Sequence, residues 1–105
     1  MKFIDNLISI KYPTETEKKE LWDIQGILKG RYNQSYKFDL RPLKNNTKKG
    51  SFKTKADKMV FDINDEYIVV DVEELHQHLN SKQKKVVYLN DLILNLDWNI
   101  IITKN

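Results

Sequence analysis

Four polar positions between residues 62 and 73 have the spacing of a calcium-binding loop. Asp62, Asn64, Glu66 and Glu73 stand at positions 1, 3, 5 and 12 of an EF-hand count. Position 6 needs glycine for a sharp turn, but it is occupied by Tyr67, and the Ile-Val-Val run that follows favours a strand. We therefore expect an acidic hairpin here and no metal site.

The only imidazoles of the chain are His76 and His78. A helix that binds a metal through two histidines places them four residues apart, whereas these two point to different sides. A Glu-x-Lys string at Glu17 lies in a capped first turn, where the helix dipole already favours an acid. A metal-free ribonuclease using His76 stays open, but no set of nucleophile, base and orienting group can be named. We expect no enzyme activity, no catalytic residues and no cofactor.

Charge is distributed unevenly along the chain. Residues 1–59 hold 14 basic and 7 acidic side chains, whereas residues 60–105 hold 4 basic and 8 acidic ones. The net charge of +3 is therefore the near-cancellation of +7 and −4. Such an asymmetry is evidence about binding partners rather than about fold.

The basic charge is concentrated between residues 41 and 58, where seven basic residues face one acid, Asp57. Pro42, Asn45, Asn46 and Gly50 predict an exposed basic loop over 41–58 within a single domain. Lysines neutralise phosphates through counterion release, so this loop would bind nucleic acid in a salt-sensitive way. The residues that would carry this alternative are Lys44, Lys48, Lys49, Lys53, Lys55 and Lys58.

The acidic charge is concentrated between residues 62 and 74, beside Phe61 and Tyr67. Carboxylates around aromatic anchors are typical of a surface that captures a basic protein, because charge steers the encounter and the rings supply buried contacts. The same carboxylates are also favoured in turns and at a helix N-terminus. The predicted partner-binding residues are Asp62, Asp65, Glu66, Tyr67, Glu73 and Glu74.

Length and composition exclude several classes of protein. A chain of 105 residues fits one domain, and the absence of cysteine removes disulfide scaffolds, Cys-ligated zinc and thiol nucleophiles. The apolar runs are far shorter than a membrane-spanning helix, so we expect no membrane insertion. Asp5 interrupts the N-terminal apolar stretch, which argues against a signal peptide. We therefore expect a cytoplasmic protein.

The hydrophobic pattern of the first half predicts both helix and strand. Residues 2–11 have a helical stripe, and Thr14 with Glu17 forms a capping box that predicts a second helix. Residues 21–29 could continue that helix, but from Trp22 onward we favour a strand. Residues 36–40 alternate apolar and polar side chains as a strand does, so Gly30 to Ser35 would form a hairpin turn.

The second half predicts a hairpin followed by alternating short elements. Residues 59–63 and 67–72 form the clearest hairpin, and Asp71 with Glu74 predicts a helix over 72–80. A strand over 86–88, a brief helix beginning near Asn90 and a strand over 98–103 follow. The predicted fold is a single α+β domain with a mainly antiparallel sheet of about four to six strands and two to four short helices.

These features predict a non-enzymatic binding protein. The favoured function is that of a small inhibitor of the immunity-protein or antitoxin type, which covers a basic toxin or effector by steric occlusion. The alternative is a nucleic-acid-binding regulator, and the exposed edge expected for the 59–72 hairpin could pair with a second copy of the chain to form a homodimer. Lys, Asn and Ile, which A/T-rich codons encode, make up 37 of the 105 residues and indicate a bacterial, phage or plasmid gene.

Overall fold

The computed structural model describes residues 2–30, 34–42, 47–49, 52–82 and 86–104. The predicted α+β class is confirmed: the described residues form a six-stranded, mostly antiparallel sheet, a separate pair of strands, two helices and two 3-10 turns. The 3-10 turns are Phe3–Asn6 and Glu17–Glu20, and the helices are α1 (Val72–Lys82) and α2 (Leu89–Asn95). The strands are β1 (Leu7–Lys11), β2 (Ile24–Leu28), β3 (Ser35–Pro42), β4 (Thr47–Lys49), β5 (Lys58–Ile63), β6 (Glu66–Asp71), β7 (Val86–Tyr88) and β8 (Asn99–Thr103).

The main sheet has the strand order β1-β2-β3-β5-β6-β8, and only β3 and β5 run parallel. β4 and β7 form a separate antiparallel pair. The predicted hairpin is confirmed: β5 and β6 pair in register from Lys58 opposite Asp71 to Ile63 opposite Glu66. Both of its strands lie inside the sheet, however, because β3 flanks β5 and β8 flanks β6. The expectation that this hairpin exposes an edge for dimerisation is therefore wrong.

The sheet has a separate hydrophobic cluster on each face. Met59, Phe61, Ile68 and Val70 pack under α1 and α2, whereas Val60 and Val69 belong to a second cluster with Phe3 and Phe38. Alternation along β5 and β6 sends successive side chains to opposite faces. The central strands are thus buried on both faces, which explains why this stretch of sequence is so apolar.

The predicted helix over residues 2–11 is wrong. The chain makes one 3-10 turn at Phe3–Asn6 and then enters β1, where Leu7 lies opposite Leu28 of β2. Ile8 and Ile10, at 48% and 40% exposure, do not form a buried helical face. Pairing with β2 gives the segment backbone hydrogen bonds and tertiary burial that override the helical spacing of its apolar side chains.

The capping box at Thr14 is confirmed, but the helix behind it is a single 3-10 turn. The Glu17 amide donates to the Thr14 hydroxyl at 3.2 Å, and the Thr14 amide donates to the Glu17 carboxylate at 3.1 Å. Hydrogen bonds to the Glu17 carboxylate, first from the Thr14 amide and then from the Thr14 hydroxyl, hold the pKa of Glu17 below its usual value. The turn ends at Leu21, whose left-handed backbone (φ 69°) redirects the chain into β2, so the preference for a strand after Trp22 is confirmed.

The part of the predicted exposed loop over 41–58 that the structure describes includes strand residues, buried side chains and exposed ones such as Lys53 and Lys55. β3 extends to Pro42, residues 47–49 form β4, and the side chains of Phe52, Ala56 and Lys58 are buried. Residues 43–46, 50 and 51 lie outside the described residues. Phe52 and Ala56 help to anchor this Lys-rich segment on the core, because each buried apolar side chain contributes favourable transfer free energy.

No helix in the described ranges is long and apolar enough to cross a membrane.

Candidate partner-binding site

The predicted acidic surface is divided between the two ends of β6. Asp62, Asp65 and Glu66 lie at the β5–β6 turn, whereas Glu73 and Glu74 lie in the first turn of α1. β6 spans Glu66–Asp71, so its ends are about 17 Å apart at the usual rise per residue. The six residues therefore do not form one surface, and each group has to be considered separately.

The group at the hairpin turn lacks an exposed aromatic anchor. Tyr67 is 4% exposed and packs edge-on against Phe3, with ring centroids 5.5 Å apart. Burial is the main reason why the pKa of its phenol is raised. Asp62 is occupied by an ion pair with Lys104, whose ammonium lies 4.6 Å from the centre of the Tyr67 ring. The Tyr67 ring thus belongs to the hydrophobic core, and its contact with a partner stays a prediction.

The two carboxylates of α1 have different surroundings. Glu74 accepts hydrogen bonds from the backbone amides of Asp97 and Trp98, at 2.8 and 3.2 Å. Its side chain therefore fixes the entry into β8 rather than completing the predicted capping box. Only the first half of that box is present: the Glu74 amide donates to the Asp71 carboxylate at 3.1 Å. Glu73 is exposed and points into a groove.

This groove, which we call the acidic groove, lies between α1 and the adjoining ends of β3 and β5. Its volume is about 640 Å³, and its charged lining residues are Asp57, Lys58, Asp71 and Glu73. Two aromatic side chains, Tyr36 and Trp98, also line it. The groove thus combines carboxylates with aromatic rings, which was the chemistry expected of the hairpin surface.

Lys58 forms part of the groove wall and neutralises one of its carboxylates. Its ammonium pairs with Asp71 at 2.7 Å and lies 3.8 Å from the centre of the Trp98 ring and 4.6 Å from that of Tyr36. Close approach of a lysine to two ring faces is a cation–π arrangement. Because Lys58 balances Asp71, the charge of the groove is set by the carboxylates of Asp57 and Glu73.

Hydrogen bonds from two backbone amides to Asp57 position the start of α1 beside β3. Its carboxylate accepts a hydrogen bond from the Lys37 amide at 2.9 Å, and its carbonyl accepts one from the Val72 amide at 3.1 Å. The sequence marked Asp57 only as the single acid of a basic segment. Nothing in that segment indicates that β5 runs beside β3, so its position next to Glu73 could not be predicted.

The histidines have structural contacts. The His76 Nε2 lies 2.7 Å from the Phe52 carbonyl, so this nitrogen donates and the ring joins α1 to the segment before β5. The His78 Nε2 lies 3.0 Å from the Asp91 carboxylate and joins α1 to α2. Among the residues that the structure describes, no group of three acidic or histidine side chains could hold a metal ion.

The lysines of the nucleic-acid alternative do not share one environment. Lys58 is 5% exposed and its ammonium pairs with Asp71, which disfavours the predicted role in phosphate binding. Lys53 and Lys55 are exposed on a segment whose Lys55 amide donates to the Glu20 carbonyl at 2.9 Å. Lys48 and Lys49 belong to β4, and Lys44 lies outside the described residues.

Comparison with known proteins gives no family. No family model matches the chain, and no curated protein or solved structure matches it either.

Proposed function

We propose that this protein is a non-enzymatic inhibitor of the immunity-protein or antitoxin type, which covers a basic toxin or effector protein through the acidic groove. Charge and size predict this class of protein. The contact surface that we propose is the acidic groove beside α1 rather than the hairpin turn. It also places the protein in the cytoplasm of a bacterial cell, as the composition predicts.

One observation carries the proposal: Glu73 and Asp57 lie on a groove that also contains Trp98 and Tyr36. Carboxylates at the rim attract a basic surface over a distance of about one Debye length, or about 10 Å at moderate salt. The two rings also give the groove apolar surface, which can pack against the aliphatic stem of an inserted Lys or Arg side chain. The groove is therefore suited to receive a basic side chain from a protein partner.

Inhibition then needs no chemistry from this chain. When a basic side chain of the partner enters the groove, α1 and the segment around Asp57 cover the surrounding partner surface. If that surface is the basic active-site cleft of a toxin, the substrate can no longer reach the cleft. Standard protein complexes bury roughly 800 Å² on each partner, which a domain of this size can supply.

The test is capture of the partner from the native host with the tagged protein. Glu73→Lys reverses the charge at the groove, and Asp65→Lys makes the same change at the hairpin turn, at the other end of β6. We expect a stoichiometric protein partner that resists nuclease, and that is lost with Glu73→Lys but retained with Asp65→Lys.

Two other results would contradict the proposal. Nucleic acid that elutes as salt rises would instead support the regulator that uses Lys53 and Lys55. Equal capture of one protein partner by both variants would show that the acidic groove is not the contact surface.

A further inference from the structure

The main sheet ends in the edge strands β1 and β8, and among the residues described for these two edges only those of β1 hinder pairing with another strand. The pairing of β1 with β2 shifts register between Ile8 and Lys11, and Ser9 has a left-handed backbone with φ 55°. Pro13 follows the strand directly. Irregular backbone, a lysine and a nearby proline are the devices by which proteins protect an exposed edge.

β8 has none of these features. It pairs with β6 through five consecutive residue pairs without a register shift, and its sequence is Asn-Ile-Ile-Ile-Thr. Within the described ranges, no backbone hydrogen bond joins the other side of β8 to a further element. Ile101 is 40% exposed. A regular, uncharged, β-branched edge strand of this kind favours addition of another strand.

We propose that β8 pairs antiparallel with β8 of a second copy of this chain, with the two Ile101 residues opposite each other. The proposal does not rest on the proposed inhibitor function. The dimer contact is thus the open edge of the sheet at β8 and not the 59–72 hairpin, whose strands are internal. The result is a two-fold symmetric dimer in which the two six-stranded sheets join into one.

The choice of a second copy rests on the self-complementarity of the strand. In the register centred on Ile101, Asn99 lies opposite Thr103 and Ile100 lies opposite Ile102, so polar residues meet polar ones and apolar residues meet apolar ones. Side chains that face each other across a strand pair interact directly. Lys104, the first charged residue beyond the strand, falls opposite Trp98 of the second copy rather than opposite another cation.

The absence of cysteine from the chain allows a direct test of this register. Ile101→Cys introduces one thiol per chain, and the proposed pairing brings the two sulfurs within disulfide reach, since opposite residues have Cβ atoms about 5 Å apart. Thr103→Cys on the same strand is the matched control. It lies opposite Asn99, so the two thiols are about 13 Å apart along the strands.

We expect mild oxidation of the full chain to convert Ile101→Cys into a disulfide-linked dimer, whereas Thr103→Cys should form no disulfide cross-link between the two chains. Sedimentation equilibrium of the unmodified protein should show a concentration-dependent dimer. In the same assay, Ile101→Lys should abolish the dimer and Ile8→Lys, on the protected edge, should leave it unchanged. Circular dichroism checks that each variant is folded.

Three outcomes would overturn the proposal. The first is a protein that stays monomeric up to millimolar concentration, and the second is cross-linking of both cysteine variants at the same rate. The third is that the unmodified protein is monomeric and binds a strand of a different protein, and that Ile101→Lys abolishes this binding. That result would assign the edge of β8 to another partner.

Discussion

Lys58 and Asp71 lie opposite each other on β5 and β6, and their side chains form a 2.7 Å ion pair in the wall of the acidic groove. The Asp71 carboxylate also caps α1 by accepting from the Glu74 amide. One pair of residues therefore holds the sheet, the helix start and the Trp98 ring together. The shape of the groove depends on this pair, whereas its charge depends on Asp57 and Glu73.

Removal of the Lys58 ammonium should destabilise the protein. The side chain of Lys58 is 7% exposed and that of Asp71 is 24% exposed, so Lys58→Met leaves a largely buried carboxylate without its cation. We expect the free energy of unfolding to fall by about 2 to 3 kcal/mol, below the full cost of breaking a completely buried pair. Urea unfolding measures the change. Lys55→Met, the same substitution at an exposed site, should change the free energy of unfolding by no more than about 0.5 kcal/mol. Equal losses of stability in both variants would refute the role of the ion pair.

Truncation of Glu74 should loosen the entry into β8. Glu74→Ala removes the acceptor of two backbone amides, those of Asp97 and Trp98, and should reduce the free energy of unfolding by about 1 to 2 kcal/mol. Glu73→Ala removes a carboxylate from the same turn and so controls for the helix dipole. Hydrogen exchange should accelerate at the Asp97 and Trp98 amides in Glu74→Ala alone. Unchanged exchange at both amides would show that these bonds do not order the segment.

Tyr67 should make the stability fall at alkaline pH. Burial, followed by the nearby Asp62 charge, raises the pKa of the Tyr67 phenol above its ordinary value of about 10. The folded state then holds the phenol proton more tightly than the unfolded state does. This contribution is complete below pH of about 10 and is lost as pH rises through the folded pKa.

The Tyr67→Phe variant isolates this effect, because phenylalanine has no proton to lose. Urea midpoints of the native protein and of Tyr67→Phe, measured from about pH 8 to about pH 11, should diverge with the native protein declining more steeply. Parallel curves over this range would mean that the Tyr67 phenol titrates in the folded protein as it does in the unfolded chain.

Local patterns in the sequence were enough to predict much of the fold. The β5–β6 hairpin, the cap at Asp71 and the final strand depend on alternation and capping within a few residues, and each is present. The N-terminal segment was predicted incorrectly because its apolar spacing fits a helix, while its partner strand, β2, lies many residues further along the chain.

The candidate site was less predictable, because it depends on contacts between distant segments. Tyr67 and Lys58 each have charged neighbours in the sequence, which suggests exposure. In the structure, Tyr67 belongs to the hydrophobic cluster that contains Val60 and Val69, and the Lys58 ammonium lies over Tyr36 of the same cluster. Glu73, a predicted partner-binding residue, is exposed at the start of α1. Its neighbour Asp57 was missed, because only the parallel pairing of β3 with β5 brings that segment to α1.

The most direct test of the proposed function is the dissociation constant of the captured partner for Glu73→Lys and for Asp65→Lys, measured by calorimetry at the same ionic strength. If the acidic groove is the contact surface, Glu73→Lys weakens binding by at least about tenfold, and Asp65→Lys stays within about threefold of the native protein. A larger loss of affinity for Asp65→Lys than for Glu73→Lys would contradict the account and return the contact to the hairpin turn.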